Sequence, residues 1–147
     1  MLFDTNKHRG NAGLSYAIAY FGCNGYTVSV PLNDTQDYDL IVDDGSSLKK
    51  VQAKATSQVD NKGEYSVSLK SSGGTAGAAY KNVRDTDVDL LFVLCSNLDA
   101  YLIPKDVITQ RNELKLKHTI TRKNQHPGLT QANTKSISKM RLGEEGL

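Results

Sequence analysis

Cysteine is scarce in this chain: Cys23 and Cys95 are the two present, with no CxxC spacing. That excludes a zinc ribbon on ligand count, and because both lie beside apolar runs they read as buried free thiols of a cytoplasmic protein. The three histidines, His8, His118 and His126, are scattered without metal-ligand spacing. No apolar run reaches the ~20 residues that a membrane span needs. No apolar segment follows the charges of the opening MLFDTNKHRG, so export is not expected. The glycines of SSGGTAGAA are not followed by GK[ST], so a phosphate-cradling loop of the Walker type is excluded. No internal repeat is visible.

What the chain does have is enough apolar content, 38% of 147 residues, for a single domain spanning 1–147 around one core. Its net charge of +2 hides a split. Residues 1–104 carry nine lysines and arginines against twelve acids, and residues 105–147 carry nine against four. A basic C-terminal segment on a mildly acidic body suits a polyanionic ligand, because lysine and arginine neutralise phosphates and release their counterions. A solvated surface tail is the plainer alternative.

Along the chain, Leu14, Ala17, Ile18 and Phe21 fall on one helical stripe, and Gly22 and Gly25 bracket the end of that helix. YTVSVPL alternates as a strand with one covered face, and Pro31 marks a strand end or an edge. After the NDTQD turn, YDLIVDDG is a second strand closing at Asp44-Gly45. SLKKVQAKAT is a third, with Leu48, Lys50, Gln52 and Lys54 on one face and Lys49, Val51, Ala53 and Ala55 on the other. EYSVSLK is a fourth. Residues 71–79 are small and glycine-rich, either a surface loop or a close backbone approach to a ligand. VDLLFVLCS, nearly all apolar, reads as a central strand covered on both faces, with AYLIP its neighbour across a short turn. KDVITQRNELKLKH reads as a short helix, and the polar remainder as loop and short helix. This order predicts an α/β fold: a central mixed β-sheet flanked by helices.

The chemistry concentrates in the second and third strands. Gln52 and Lys54, two apart, share a face, and a hairpin closing near residues 44–47 brings Asp39 beside them. A carboxylate, an amide and an ammonium then converge at one end of a sheet, a set suited to phosphodiester hydrolysis. Asp39 offers Mg²⁺ the hard oxygen ligand it prefers, and the Gln52 side-chain oxygen and the Ala53 carbonyl offer neutral ones. Lys54 can orient or deprotonate a water, or stabilise charge growing on phosphate. A lysine within V-Q-A-K-A either pairs with a carboxylate or substrate, or faces solvent beside Lys50.

Asp39, then Gln52-x-Lys54, preceded by Gly25-Tyr26-x-Val28-x-Val30-Pro31 and followed by a further strand, resembles the PD-(D/E)xK nuclease superfamily with its restriction-endonuclease-like core. Within it the chain is similar to the small homing endonucleases encoded in group I introns, in length, in VQAK where most relatives have E-x-K, and in YDLIV. The likeness covers about residues 8–104. It implies a single nuclease domain with a one- or two-metal Mg²⁺ site, for which Mn²⁺ substitutes. It also implies double-stranded DNA as substrate and a homodimer or homotetramer reading a long, near-symmetric target. By position, Asp39 is the metal-binding aspartate, Gln52 the second metal-site residue and Lys54 the catalytic lysine. The family commonly has a glutamate after a glycine on the first helix, where this chain reads Gly13-Leu14-Ser15. Asp34 or Asp37 substitutes for it, or Asn11 assists, or this chain binds DNA without cutting. A junction-resolving nuclease is a further alternative.

For DNA contacts, the strand region from Thr56 to Lys70 reads as a ribbon with a polar outer face, offering Gln58, Lys62 and Lys70 to the major groove. Lys81 and Arg84 read as a phosphate patch beside the glycine-rich loop, with Tyr65 and Tyr80 flanking that loop. Arg111, Lys115, Arg122, Lys123 and Lys135 carry the positive charge of residues 105–147, suited to positioning phosphates.

Overall fold

The computed structural model describes residues 3–71, 81–117 and 138–141. Helix α1 (Asn6–Cys23) starts where Thr5 accepts the His8 N–H on its side-chain oxygen at 3.1 Å, meeting one of the donors that a helix start leaves unpaired. It ends at Asn24, and Gly25 takes φ +83°, a left-handed conformation that glycine adopts without steric cost. The helix is longer than its apolar stripe predicts. Ala17 and Phe21 are buried and Leu14 packs at the margin of the core, whereas Ile18 is exposed.

The strands are β1 (Thr27–Ser29), β2 (Leu40–Asp43), β3 (Leu48–Thr56), β4 (Glu64–Ser68), β5 (Lys70–Ser71), β6 (Lys81–Asn82), β7 (Leu90–Cys95), β8 (Asp99–Pro104), β9 (Glu113–Lys117) and β10 (Ser138–Arg141). Six make one mixed sheet in the order β1-β2-β3-β7-β8-β10, in which β3 and β7 run parallel and the other neighbours antiparallel. The predicted hairpin forms as β2 and β3. Its turn is held by the Asp44 carboxylate, which accepts the N–H groups of Ser46 and Ser47, each at 2.8 Å, while Gly45 takes φ +87°.

Strand β7 explains the layering. Its alternate residues Leu91, Val93 and Cys95 enter one core, and Phe92 and Leu94 enter another on the opposite face. The second core lies under α1, with Ala17, Phe21, Leu40, Val42 and Val51. The first lies under β4 and β9, which pair antiparallel and contribute Tyr65, Val67, Leu114 and Leu116. The sheet is thus covered by a helix on one face and by a two-stranded ribbon with short 3-10 turns (Val83–Asp85 and Lys105–Val107) on the other.

Several expectations change. Residues 105–118 were expected as a helix. Among the described residues 105–117 only Lys105–Val107 turns helically, and Glu113–Lys117 is a strand whose Leu114 and Leu116 face the core. The partner of β4 is β9, so the region from Thr56 to Lys70 is no free ribbon: Thr56 and Ser66 are buried, and the Thr56 hydroxyl donates to the Ser66 carbonyl at 2.5 Å. A tight turn remains around Asp60–Gly63, with the Ser66 N–H donating to the Gln58 carbonyl at 2.9 Å. Cys95 is buried as expected, but Cys23, at the end of α1, is exposed. No helix among the described residues is long and apolar enough to cross a membrane.

Candidate active site

Strand β2 begins at Leu40, paired with Val51. One residue earlier, the Asp39 N–H donates to the Val51 carbonyl at 2.9 Å, and the Asp39 carboxylate accepts the Ala53 N–H at 2.7 Å. Asp39 therefore stands just before the first paired residue of β2, with both its backbone and its side chain bonded to the β3 backbone. Gln52 and Lys54, alternate residues of β3, share the face on which they meet Ser71 and the Lys70 carbonyl, and the Asp39 carboxylate is bonded to Ala53 between them. A strand residue's N–H and C=O point to the same neighbour, so the Ala53 carbonyl lies along the edge that β2 has vacated.

Burial sets the electrostatics. Asp39 is half-buried, and desolvation pushes its carboxyl above the ordinary range, against the Ala53 hydrogen bond and the Lys54 charge, which pull it down. Burial also lowers the Lys54 ammonium, and the Asp39 charge opposes that. The two mutually stabilise their charged forms in a site that water reaches poorly. The Lys54 side chain is half-buried rather than open to solvent. Its Nζ also donates to the Lys70 carbonyl at 3.0 Å.

Gln52 is 9% exposed. Its Nε2 donates to the Ser71 hydroxyl at 2.7 Å, while its Oε1 is buried and has no hydrogen-bond partner among the described residues. A buried carbonyl oxygen left unpaired is costly. Beside a carboxylate, such an oxygen is a donor suited to a hard cation. The residues present fit a divalent metal in this respect: Asp39 supplies charge, and Gln52 Oε1 and the Ala53 carbonyl supply neutral oxygens. Among the described residues no three His, Cys, Asp or Glu side chains gather as a metal cluster.

Leu14 packs against the core under α1. Asn11 and Asp34 are exposed, and Asp37 is bridged to Lys81 at 3.1 Å. Gly13 explains how α1 reaches β3: a Cβ there would meet the Lys54 carbonyl oxygen at 3.0 Å and the Ala55 Cβ at 3.2 Å.

Among the residues expected to touch DNA, Gln58 and Lys62 are exposed beyond the end of β3, and Lys70 is exposed on β5. Lys81 holds Asp37, and Arg84 Nη1 donates to the Thr109 carbonyl at 3.2 Å. Arg111 is exposed, and exposed Lys115 is bridged to Glu113 at 2.7 Å and to Asp60 at 3.5 Å. Arg122, Lys123, Lys135, Tyr80 and most of the glycine-rich loop lie outside the described residues. Tyr65 is a core residue whose hydroxyl meets Ser96 Oγ at 3.1 Å. Ser71 and the Lys70 carbonyl were not foreseen at the site. They come 19 and 16 residues after their partners, and no local pattern announces such pairings.

The fold has known counterparts. The bacterial homing endonuclease I-Ssp6803I matches with a TM-score of 0.70 and 26% sequence identity, over 85% of this chain and 86% of that one. The crystal structure of MepB matches with a TM-score of 0.48 and 9% identity, over 87% of this chain and 97% of that one, too distant to bear on the site. No curated protein matches the sequence. Residues 4–135 match the family model of the PD-(D/E)XK endonucleases, and the chain belongs to that family.

Proposed function

We propose that this chain is a metal-dependent, site-specific double-stranded DNA endonuclease of the homing type, of the kind group I introns encode, with Asp39, Gln52 and Lys54 as its catalytic set. The observation that carries this reading is the buried, unpartnered Gln52 Oε1 beside the Asp39 carboxylate and the Lys54 ammonium. Asp39 and Gln52, with the Ala53 carbonyl, would hold Mg²⁺ or Mn²⁺. Such an ion, when bound, polarises a phosphoryl oxygen and makes a nucleophile available at neutral pH.

The protein's own groups do the rest. Ala53 fixes the Asp39 carboxylate by its N–H, so the charge is aimed before substrate arrives. Lys54, bonded to the Lys70 carbonyl and attracted electrostatically by Asp39, would stabilise charge developing on the phosphate or exchange a proton with the attacking water. Its lowered pKa moves it toward the range where such exchange is effective. The exposed cations Lys62, Lys70, Arg84 and Arg111 are available for phosphate contacts, with Arg122, Lys123 and Lys135 adding charge. Two-fold symmetric duplex sites favour paired subunits, so the working form is a homodimer or homotetramer. The likeness to I-Ssp6803I supports the homing type.

A second reading, DNA binding without cleavage, is favoured by Leu14, which packs against the core where the family commonly has a glutamate. The deciding experiment is cleavage of duplex DNA carrying the intronless host locus, with Mg²⁺ or Mn²⁺, by the parent protein and by Asp39→Ala and Lys54→Ala. Metal-dependent cutting lost in both variants supports the endonuclease. Binding without cutting by the parent supports the second reading.

A further inference from the structure

An amide in place of a carboxylate creates a problem of orientation. A carboxylate presents two equivalent oxygens, whereas Gln52 presents one oxygen and one NH₂ group that needs an acceptor. Unless something accepts from that nitrogen, the buried amide has no reason to keep its oxygen turned to a cation. Ser71 is the acceptor, at 2.7 Å from Nε2, and the oxygen left over is the buried unpartnered one.

Ser71 is itself held. It lies on β5, which pairs antiparallel with β6 in the register Lys70↔Asn82 and Ser71↔Lys81. From β6, Lys81 grips Asp37 at 3.1 Å, two residues before Asp39. From β5, the Lys70 carbonyl receives the Lys54 ammonium at 3.0 Å. The two-rung ladder is therefore tied to the strand of Asp39 on one side and to both functional residues of β3 on the other.

We propose that Ser71 is a positioning residue: its hydroxyl takes up the Gln52 amide nitrogen and so keeps the Gln52 oxygen directed at the cation shared with Asp39. This rests on the metal-site reading above. Ser71 touches neither DNA nor the reacting atoms in this role. It acts through Gln52, as outer partners of metal ligands do when they fix a ligand's orientation.

The test titrates Mn²⁺ alone into the DNA-free full chain, followed by the loss of the free-ion paramagnetic resonance signal. Ser71→Ala should weaken Mn²⁺ binding about 10-fold, the lower end for loss of such a partner, and Ser71→Thr, which keeps the hydroxyl, should restore it. In a Gln52→Ala background, Ser71→Ala should have no further effect. In the metal-free protein the Gln52 side-chain NH₂ resonances should shift in Ser71→Ala and stay near the parent position in Ser71→Thr. If Ser71→Ala does not fold, Ser71→Thr against Ser71→Val compares two side chains of one shape that differ in the hydroxyl. Parent-like Mn²⁺ affinity in Ser71→Ala, or in Ser71→Val where that pair is used, would overturn the role of Ser71 and leave the metal site standing. Equal weakening with and without Gln52 would also overturn it. A parent protein that binds no Mn²⁺ would overturn both this role and the metal-dependent reading.

Discussion

The Asp39 carboxylate accepts the Ala53 N–H at 2.7 Å, taking the place of the backbone carbonyl that another residue of β2 would have supplied. A side chain thus completes the ladder just before β2 begins, which fixes the carboxylate although burial disfavours its charge. Asp39→Asn keeps an oxygen able to accept from Ala53, so its thermal unfolding should stay close to that of the parent. Cleavage should fall roughly 100-fold or more, since a metal's charge stabilisation is worth several kcal/mol and each 1.4 kcal/mol is tenfold. Single-turnover cleavage beside a melting curve checks both. A large loss of stability with the same loss of activity would make Asp39 a structural residue.

Lys54 and Asp39 should report on each other in titration. The Lys54 charge lowers the Asp39 carboxyl, which burial otherwise raises. Lys54→Met removes that charge, so the Asp39 midpoint should move further up, read by carboxyl ¹³C NMR across the acid range. An unmoved midpoint would separate the two groups electrostatically.

Gly13 should tolerate no side chain. In an open helix, glycine to alanine stabilises by about 1 kcal/mol. Here the added carbon would press on the Lys54 carbonyl and Ala55, and overpacking of this kind costs about 1–3 kcal/mol. Gly13→Ala should therefore lower the urea midpoint. A raised midpoint would mean that α1 does not cross β3 so closely.

The turn between β2 and β3 has an acid signature. Hydrogen bonds from Ser46 and Ser47 bring the Asp44 carboxyl down to about 2. A carboxyl depressed on folding stabilises above its unfolded value, and that contribution is lost as pH falls through the folded one. NMR should place the Asp44 midpoint at about 2. Asp44→Asn should remove this part of the pH dependence of stability between roughly pH 4 and pH 2. A midpoint at the ordinary aspartate value would show that the turn bonds are not formed in solution.

Much of the site was legible from the chain because it is local. Period-two alternation puts Gln52 and Lys54 on one face, and the Asp44-Gly45 turn closes the hairpin that sets Asp39 across from them. The apolar run of β7 likewise announces a strand covered on both faces. The strand at Glu113–Lys117 carried its own signal, two leucines alternating with charged residues, but five residues beside a polar stretch are too few to outweigh a helical reading.

The sequence by itself determined which residues share a face and where the chain turns, since those follow from backbone geometry over a few residues. Only the tertiary structure decided what surrounds them: that β3 runs parallel to β7, that β4 takes β9 as its partner, and that Ser71 and Lys70 close over Gln52 and Lys54. Those pairings join segments distant along the chain. They are selected by burying Leu114, Leu116, Tyr65 and Val67 against the sheet, a gain that exists only once both faces of the sheet are covered.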